Sequence, residues 1–225
     1  GVAASFWGDW KLIFAVYSVT TLISTIWLIS IIPGKEKLEE AHVTFGTTVS
    51  LFNDKYIVSL FLGILFIVGI DVGLNTTIPK LLIDRTGMPL SEAGLGTSLY
   101  FAARTIGSFV GALLLAKLSA SRFLKYSMFV AIVAFILLLA VPATWSMFVM
   151  IVIVGLACAN VFSIIFSFAL QHKPERSNEI SALMIMGVSG GALITPLMGV
   201  VADGFGQVAG LSILLLCLLY IWRHI

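Results

Sequence analysis

The stretch SLFLGILFIVGIDVGLNTTI occupies residues 59–78 and contains one charged side chain, Asp71. A hydrocarbon core about 30 Å thick is crossed by a helix of about 20 predominantly apolar residues. A helix is expected because backbone N–H and C=O groups inside a bilayer must find hydrogen-bond partners within their own segment. Residues 59–78 therefore predict a membrane-spanning α-helix.

The composition of the whole chain agrees with this prediction. Of its 225 residues, 60% are apolar and 11% are charged, whereas about 25% of an average soluble domain is charged. A soluble fold of this size has too little interior to cover that many apolar side chains. The composition argues against a cytosolic enzyme, and a net charge of +2 is too small for a nucleic-acid-binding protein.

Seven apolar runs are long enough to cross a bilayer, and proline and glycine residues punctuate the sequence between several of them. We therefore predict an all-α membrane protein, a polytopic helical bundle with seven transmembrane helices. The predicted spans are residues 10–33, 55–82, 92–117, 123–142, 145–171, 177–202 and 206–223.

The spacing of these runs predicts three parts. Residues 1–33 contain one helix, residues 34–54 form a charged cytoplasmic linker, and residues 55–225 form a bundle of six helices with short connections. The chain starts at Gly1 without an initiator methionine, so we expect a fragment of a longer protein. One helix plus six is what remains of a twelve-helix transporter without its first five helices, and it also suits a complete seven-helix receptor.

Lysine and arginine are distributed unequally between the two sides of the predicted bundle. With the C-terminus in the cytoplasm, nine of the thirteen basic residues fall on the cytoplasmic side and three on the outer side. Cytoplasmic loops of membrane proteins carry an excess of lysine and arginine. We therefore predict a cytoplasmic C-terminus. The remaining basic residue, Arg104, lies within a span.

Two charged residues, Asp71 and Arg104, lie near the middle of consecutive antiparallel spans. Ionisable groups at this depth are costly and usually face a cavity or a partner. Desolvation favours the protonated form of a carboxylate, whereas a neighbouring cation favours its ionised form. A carboxylate under both influences can change its protonation state, so Asp71 suits a site for substrate contact or proton coupling. The alternative is a buried ion pair that only fixes helix packing.

Three uncharged polar residues extend this candidate site. Asn75 lies four residues after Asp71 on the same helix face. Its amide can both donate to and accept from a hydroxyl, so Asp71 with Asn75 suits a polyol or a sugar. Tyr100, four residues before Arg104, either stacks on a sugar ring or packs within the bundle. Asn160, in the middle of the fifth span, is either a substrate ligand or the donor of an interhelical hydrogen bond.

No residues suggest a metal site or a catalytic centre. His42, His172 and His224 lie in loops or at helix ends without the spacing of metal ligands. No metalloprotease, hydrolase or phosphate-binding motif is present. We therefore predict no enzyme activity, no metal and no cofactor.

The end of the fifth span and the whole of the sixth resemble a known family. They resemble the tenth and eleventh helices of the fucose–galactose–glucose:proton symporter family, a branch of the major facilitator superfamily. The residues that carry this resemblance are GLACANVFSIIFSFAL (155–170) and QHKPERSNEISALMIMGVSGGALITPLMGVVADGFG (171–206).

Two earlier spans share the resemblance. Arg104, followed by Gly107 and Gly111, is similar to the family's eighth helix, in which a mid-helix arginine precedes glycines. Asp71 followed by Asn75 is similar to its seventh helix. On this basis nearly the whole chain corresponds to helices 6–12 of the family.

The resemblance implies a partial major facilitator superfamily fold from a bacterial inner-membrane sugar permease. It implies alternating-access transport of a fucose-, glucose- or galactose-like monosaccharide, with the proton as coupling ion. The implied partners are the sugar, the lipid bilayer and the missing N-terminal helices of the same polypeptide. The residues that would serve substrate binding or coupling are Asp71, Asn75, Tyr100, Arg104 and Asn160.

Three other functions are alternatives, and the sequence argues against the first two. A seven-helix light sensor would need a Schiff-base lysine within a helix, and no lysine lies deep in a predicted span. A membrane-embedded enzyme would need a cluster of histidine or acidic residues at mid-depth, where only Asp71 is found. A multidrug or other small-molecule exporter of the same superfamily would share the helical pattern but have a more apolar cavity.

Overall fold

The structure, a computed structural model, describes residues 11–31 and 45–225 of the chain. It divides into two units, Gly1–His42 and Val43–Ile225. The first unit contains helix α1, Lys11–Ser30, whose described side chains are exposed. Its serine and threonine hydroxyls donate to backbone carbonyls three or four residues earlier, as Ser18 does to Phe14, so they leave no unpaired donor on an apolar helix.

The described part of the second unit consists of helices joined by short connections, without a strand. Short 3₁₀ turns at Leu51–Asn53, Pro174–Arg176 and Gly187–Ser189 join some of its helices. The helices are α2 (Phe45–Ser50), α3 (Lys55–Thr86), α4 (Leu90–Leu115), α5 (Ala120–Ala140), α6 (Thr144–Cys158), α7 (Val161–His172), α8 (Ser177–Met186), α9 (Gly190–Phe205) and α10 (Gln207–His224).

Six segments of the described residues are long and apolar enough to cross a membrane. They are α3, α4, α5, α6 with α7, α8 with α9, and α10, so the last six predicted spans are confirmed. The first predicted span, residues 10–33, lies partly outside the described residues. Helix α1 covers Lys11–Ser30, and Phe14–Ser30 is the apolar helix found there, below the length counted as a full span. The predicted count of seven is one too high for the described residues, since part of the first span lies outside them.

The predicted linker is described only at its end. Residues 34–44 lie outside the described residues, whereas residues 45–53 form α2 and a 3₁₀ turn. The Nη2 group of Arg176, just before α8, donates to the carbonyl oxygen of Thr47 at 2.6 Å and to Oγ of Ser50 at 3.1 Å. These bonds attach α2 to the turn that precedes α8.

Helix α3 is the central helix of the second unit, because α4, α7, α8, α9 and α10 all pack on it. Glycines allow the closest approaches. A Cβ atom added at Gly190 would overlap the main chain of Leu65, and one at Gly69 would overlap the side chain of Ile194. Small residues are the usual means by which helices approach closely in a bilayer, so these glycines position α9 against the middle of α3.

Two of the spanning segments are interrupted within the bundle. Helix α6 ends at Cys158 and α7 begins at Val161, so Asn160 lies in the break between them. Helices α8 and α9 are separated by the 3₁₀ turn Gly187–Ser189. Irregular backbone at membrane depth is tolerated where it is buried in protein or lines a cavity.

Most of the basic residues of the second unit gather at one end. Ser59, near the start of α3, donates to the carbonyl oxygen of His224 at 3.4 Å, and Asp54 contacts Lys173 at 2.6 Å. Helix α3 therefore starts where α7 and α10 end, and the turn from α4 to α5 falls at the same end. We call it the basic end; its basic residues are Lys55, Lys117, Arg122, Lys125, Lys173, Arg176 and Arg223.

Candidate substrate site

The candidate site is built on Asp71, which lies near the middle of α3. The flanking residues Ile70 and Leu74 are buried against the bundle, whereas Val72 and Asn75 are exposed. The side chain of Asp71 is 17% exposed. Asp71 therefore lies at the border between the packed face and the open face of α3.

Two residues of α4 contact the Asp71 carboxylate. Arg104 forms an ion pair through Nη1 to Oδ1 of Asp71. The Tyr100 hydroxyl donates to the same oxygen at 2.6 Å, and Nη1 of Arg104 lies 3.5 Å from the hydroxyl oxygen. Residues 100 and 104 are one helical turn apart and share a face. We call Asp71, Tyr100 and Arg104 the triad.

The packing of α4 against α6 fixes the tyrosine of the triad. The Tyr100 side chain is fully buried, and a Cβ atom added at Gly155 of α6 would lie 2.7 Å from the Tyr100 carbonyl oxygen. Tyr100 therefore serves as a hydrogen-bond donor to Asp71, and burial leaves its ring no open face on which a sugar could stack.

The electrostatics of the triad suit a polar site inside a bilayer. An isolated charge at this depth is costly, and an ion pair with additional hydrogen bonds offsets much of that cost. Asp71 and Arg104 cancel in charge, yet their side chains remain 17% and 20% exposed. Both contacts from α4 engage Oδ1, so Oδ2 is the oxygen of Asp71 best placed to accept a further hydrogen bond.

Asn75 lies one turn beyond Asp71 on α3 and is exposed. Its carbonyl oxygen lies 3.5 Å from the hydroxyl of Thr97 on α4. Its amide side chain forms no hydrogen bond with any residue that the structure describes. The structure therefore places Asn75 near the triad along α3 but does not connect its side chain to it.

Asn160 is separate from the triad in its bonding. Its side chain is buried, and Nδ2 donates to the carbonyl oxygen of Gly107 on α4 at 2.8 Å. A Cβ atom at Gly111 would overlap the Asn160 amide, and one at Gly107 would lie 2.9 Å from Cβ of Ala159. Asn160 is thus the donor of an interhelical hydrogen bond, and two glycines of α4 provide its space.

The sequence analysis missed Thr195 of α9. Its hydroxyl oxygen is buried and has no hydrogen-bond partner among the described residues, although buried hydroxyls are usually paired. A threonine inside a helix ordinarily donates to a carbonyl four residues earlier. The neighbouring residues in the sequence therefore do not indicate that the Thr195 hydroxyl is unpaired, and only the three-dimensional structure shows it.

An ionic cluster at the basic end is centred on Asp54, which immediately precedes the span α3. Asp54 is the N-cap of α3, accepting from the backbone N–H groups of Tyr56 at 3.0 Å and Ile57 at 3.4 Å. It also contacts Lys173 at 2.6 Å and His172 at 3.0 Å. These interactions, chiefly the one with Lys173, hold the pKa of the Asp54 carboxyl well below its ordinary value. The cluster ties the start of α3 to the end of α7.

A comparison with protein families gives a match over most of the chain. The family described as Major Facilitator Superfamily matches residues 1–196 of this chain, which include α1 and the triad. The matched region extends into α9.

Curated relatives with sequence similarity carry names related to sugar transport. A Helicobacter pylori protein whose name includes the words glucose/galactose transporter is 26% identical over 212 residues, which cover 92% of this chain and 51% of that protein. A glucose/galactose transporter of Brucella abortus is 26% identical over 165 residues, covering 71% of this chain and 39% of that protein. The chain spans about half the length, or less, of the curated relatives it matches.

Solved structures support the architecture. The chain is similar to the outward conformation of FucP, a Major Facilitator Superfamily transporter, with a TM-score of 0.74, 17% identity and coverage of 94% of this chain and 52% of FucP. A second structure of FucP, the E. coli fucose:proton symporter, gives a TM-score of 0.77 at 16% identity, covering 94% of this chain and 53% of that one. At this level of identity the similarity establishes the fold.

Proposed function

Because the chain belongs to the Major Facilitator Superfamily, a family of transporters rather than enzymes, we propose that it forms the C-terminal part of a monosaccharide permease. The observation that carries the proposal is the triad: an ion pair between two adjacent spanning helices, near mid-depth, bridged by a buried tyrosine. The names of the sequence relatives, which refer to glucose and galactose, support a hexose as the substrate.

The triad would contact the sugar from this half of the transporter. Oδ2 of Asp71 would accept from a sugar hydroxyl, while Arg104 keeps the carboxylate charged and Tyr100 fixes its orientation. The exposed Asn75 amide would donate to one hydroxyl and accept from another. Asn160 would act indirectly, by holding the break between α6 and α7 against α4.

The mechanism would be alternating access, in which two bundles rock about a site near the bilayer midplane. The helices that precede this chain in the parent protein would supply the other wall of the site. A proton would be the coupling ion, as in the fucose:proton symporter of similar fold. Arg104 would then exchange Asp71 for another partner as the site changes sides.

The protein would lie in a bacterial inner membrane with its C-terminus in the cytoplasm. The basic end supports this orientation, since it gathers seven lysine and arginine residues of the described chain at one end of the bundle, and such residues favour the cytoplasmic side. A reporter enzyme that is active only in the cytoplasm, fused after Ile225, tests the orientation, because it is inactive if the C-terminus is outside.

Uptake of labelled glucose, galactose and fucose by cells expressing the full-length protein tests the proposed function. We expect Asp71→Asn and Arg104→Ala to abolish uptake at normal expression. Glu92→Gln is the matched control, because Glu92 lies in the first turn of α4 and is exposed, and it is expected to leave uptake unchanged. Normal uptake by both triad variants would remove the triad from the mechanism.

Thermal unfolding of the purified full-length protein distinguishes a sugar carrier from an exporter of apolar compounds. A sugar carrier is stabilised against thermal unfolding by its sugar, because a ligand that binds only the folded state shifts the unfolding equilibrium. Stabilisation by hydrophobic drugs and not by any hexose would favour the exporter.

A further inference from the structure

We infer that the basic end carries a binding site for an anionic phospholipid, on the flank formed by α4, α5, α6 and α10. Two apolar hollows lie side by side there and share Arg122 and Tyr126. The acyl chains would occupy the hollows, and the phosphate would bind Arg122 and Lys125. The site does not include any residue of the triad.

The first hollow, between α4, α5 and α6, has a volume of about 460 Å³. Its wall is apolar and open, because Val110, Leu114, Val130 and Leu156 are each between 40% and 49% exposed. The two glycines of α4 that accommodate Asn160, Gly107 and Gly111, also line it.

The second hollow, between α5 and α10, has a volume of about 450 Å³. Lys125, Phe129 and Trp222 line it together with the two shared residues. Tryptophan and tyrosine are enriched at the headgroup level of membranes, so Trp222 and Tyr126 place this end of the flank at the depth of the phosphates. Because Arg122 and Tyr126 line both hollows, the two chains of one lipid would occupy one hollow each beneath a shared headgroup.

The charges at the mouth of the hollows fit an anionic headgroup. Arg122 donates through Nε to the Ser119 hydroxyl at 2.9 Å, which orients its guanidinium and leaves the Nη groups for a ligand. No carboxylate of the described residues lies within ion-pair distance of Arg122 or Lys125. The sequence contains no aspartate or glutamate between residues 93 and 174. Apart from Glu92 in the first turn of α4, at the opposite end of the bundle, α4 to α7 therefore contribute only positive charge.

This pattern favours lipid over a covering protein helix. A helix packed on these hollows would have to supply carboxylates for Arg122 and Lys125, whereas a phospholipid supplies the phosphate and the apolar chains together. Arginine binds phosphate oxygens in a bidentate geometry, and lysine adds a point charge. Basic pockets between spanning helices are typical sites for anionic headgroups.

Quenching of Trp222 by brominated lipids tests the inference. The full-length protein, with Trp222 as its sole tryptophan, is reconstituted into phosphatidylcholine vesicles containing either brominated phosphatidylglycerol or brominated phosphatidylcholine at equal mole fraction. We expect phosphatidylglycerol to quench Trp222 at a lower mole fraction. Since one basic side chain strengthens the attraction of an anionic lipid about fivefold, Arg122→Gln with Lys125→Gln should abolish the preference.

Two controls make the result specific. A protein that retains only Trp145, which is exposed at the start of α6 and at the opposite end of the bundle, should be quenched equally by both lipids. Lys55→Gln with Lys80→Gln removes two exposed charges away from the hollows and should keep the preference of Trp222 for phosphatidylglycerol.

Three outcomes overturn the inference. These are equal quenching of Trp222 by both lipids, a preference that survives the loss of Arg122 and Lys125, and protection of Trp222 from both lipids, which would show that protein covers the hollows. If the sole-tryptophan protein does not fold, native mass spectrometry of the wild-type protein replaces it. Phosphatidylglycerol should then remain bound to the wild type and be lost from Arg122→Gln/Lys125→Gln, and equal retention contradicts the site.

Discussion

The hydroxyl of Tyr100 on α4 donates to Oδ1 of Asp71 on α3 at 2.6 Å, and the tyrosine is fully buried. This hydrogen bond fixes the orientation of a carboxylate that also pairs with Arg104. Tyr100 is therefore a positioning residue for the charge at the centre of the candidate site.

Tyr100→Phe tests that role with almost no change in volume. A hydrogen bond to a charged group contributes about 1.5–3 kcal/mol, so we expect a loss of stability of about 1–3 kcal/mol, measured as a lower thermal unfolding midpoint in detergent. Sugar uptake should fall through a higher KM, because Asp71 loses its fixed orientation. An unchanged midpoint and KM would show that the bond has no role in positioning.

The close packing of Asn160 against Gly111 of α4 gives a second prediction. Gly111→Ala should destabilise the protein by about 1–3 kcal/mol, the usual effect of forcing an extra methyl into a packed site, because the new Cβ overlaps the Asn160 amide. Gly94→Ala on the same helix is the matched control, since nothing lies within 4 Å of a Cβ atom there. We expect it to be neutral or slightly stabilising, as alanine favours helix over glycine.

Asn160→Ala identifies the cause of the Gly111→Ala effect. By itself it removes the hydrogen bond to Gly107 and should cost about 0.5–2 kcal/mol, the range measured for polar bonds between spanning helices. In the double variant the overlap is gone, so Gly111→Ala should add almost no further destabilisation. Additive effects of the two substitutions in unfolding measurements would contradict direct contact between residues 111 and 160.

The amino-acid sequence was sufficient to predict the six spans of the second unit and the two charged residues that meet. Apolar runs bounded by proline and glycine determine spans directly, and Asp71 and Arg104 stand out because charges are rare in such runs. Asn160 remained ambiguous, since a mid-span amide serves equally well as a ligand or as an interhelical donor. The sequence could not show that Tyr100 faces Asp71, or that Gly111 faces Asn160, because both depend on the rotation of α4 against its neighbours.

The cluster around Asp54 predicts a dependence of stability on pH. The folded protein holds the pKa of Asp54 below its ordinary value of 3.8. A carboxyl with a depressed pKa stabilises the folded state above the unfolded pKa, and this contribution is lost as the pH falls through the folded value. Unfolding midpoints should therefore include a constant contribution from Asp54 at neutral pH and lose it only below about pH 4.

Two substitutions separate the ionic and capping roles of Asp54. Asparagine is as good an N-cap as aspartate, so Asp54→Asn should lose only the ion pair, about 1 kcal/mol or less because the pair is partly exposed. Asp54→Ala should lose the cap as well, about 1 kcal/mol more. The difference between wild type and Asp54→Asn should vanish at acidic pH, and a difference independent of pH would contradict the ionic role.

Neutral replacement of the whole ion pair separates transport from packing. Asp71→Asn or Arg104→Gln alone leaves one unpaired charge near mid-depth, which costs about 3–5 kcal/mol for a fully buried pair and less here, where both side chains remain about one-fifth exposed. The double variant Asp71→Asn/Arg104→Gln leaves no charge, and neutral replacements of buried pairs are often tolerated. We therefore expect the double variant to unfold near the wild-type temperature and yet to take up no sugar. An amide at position 71 carries no negative charge to bind the substrate and cannot accept a proton. Uptake by the double variant at the wild-type rate would mean that the pair serves only to pack α3 against α4.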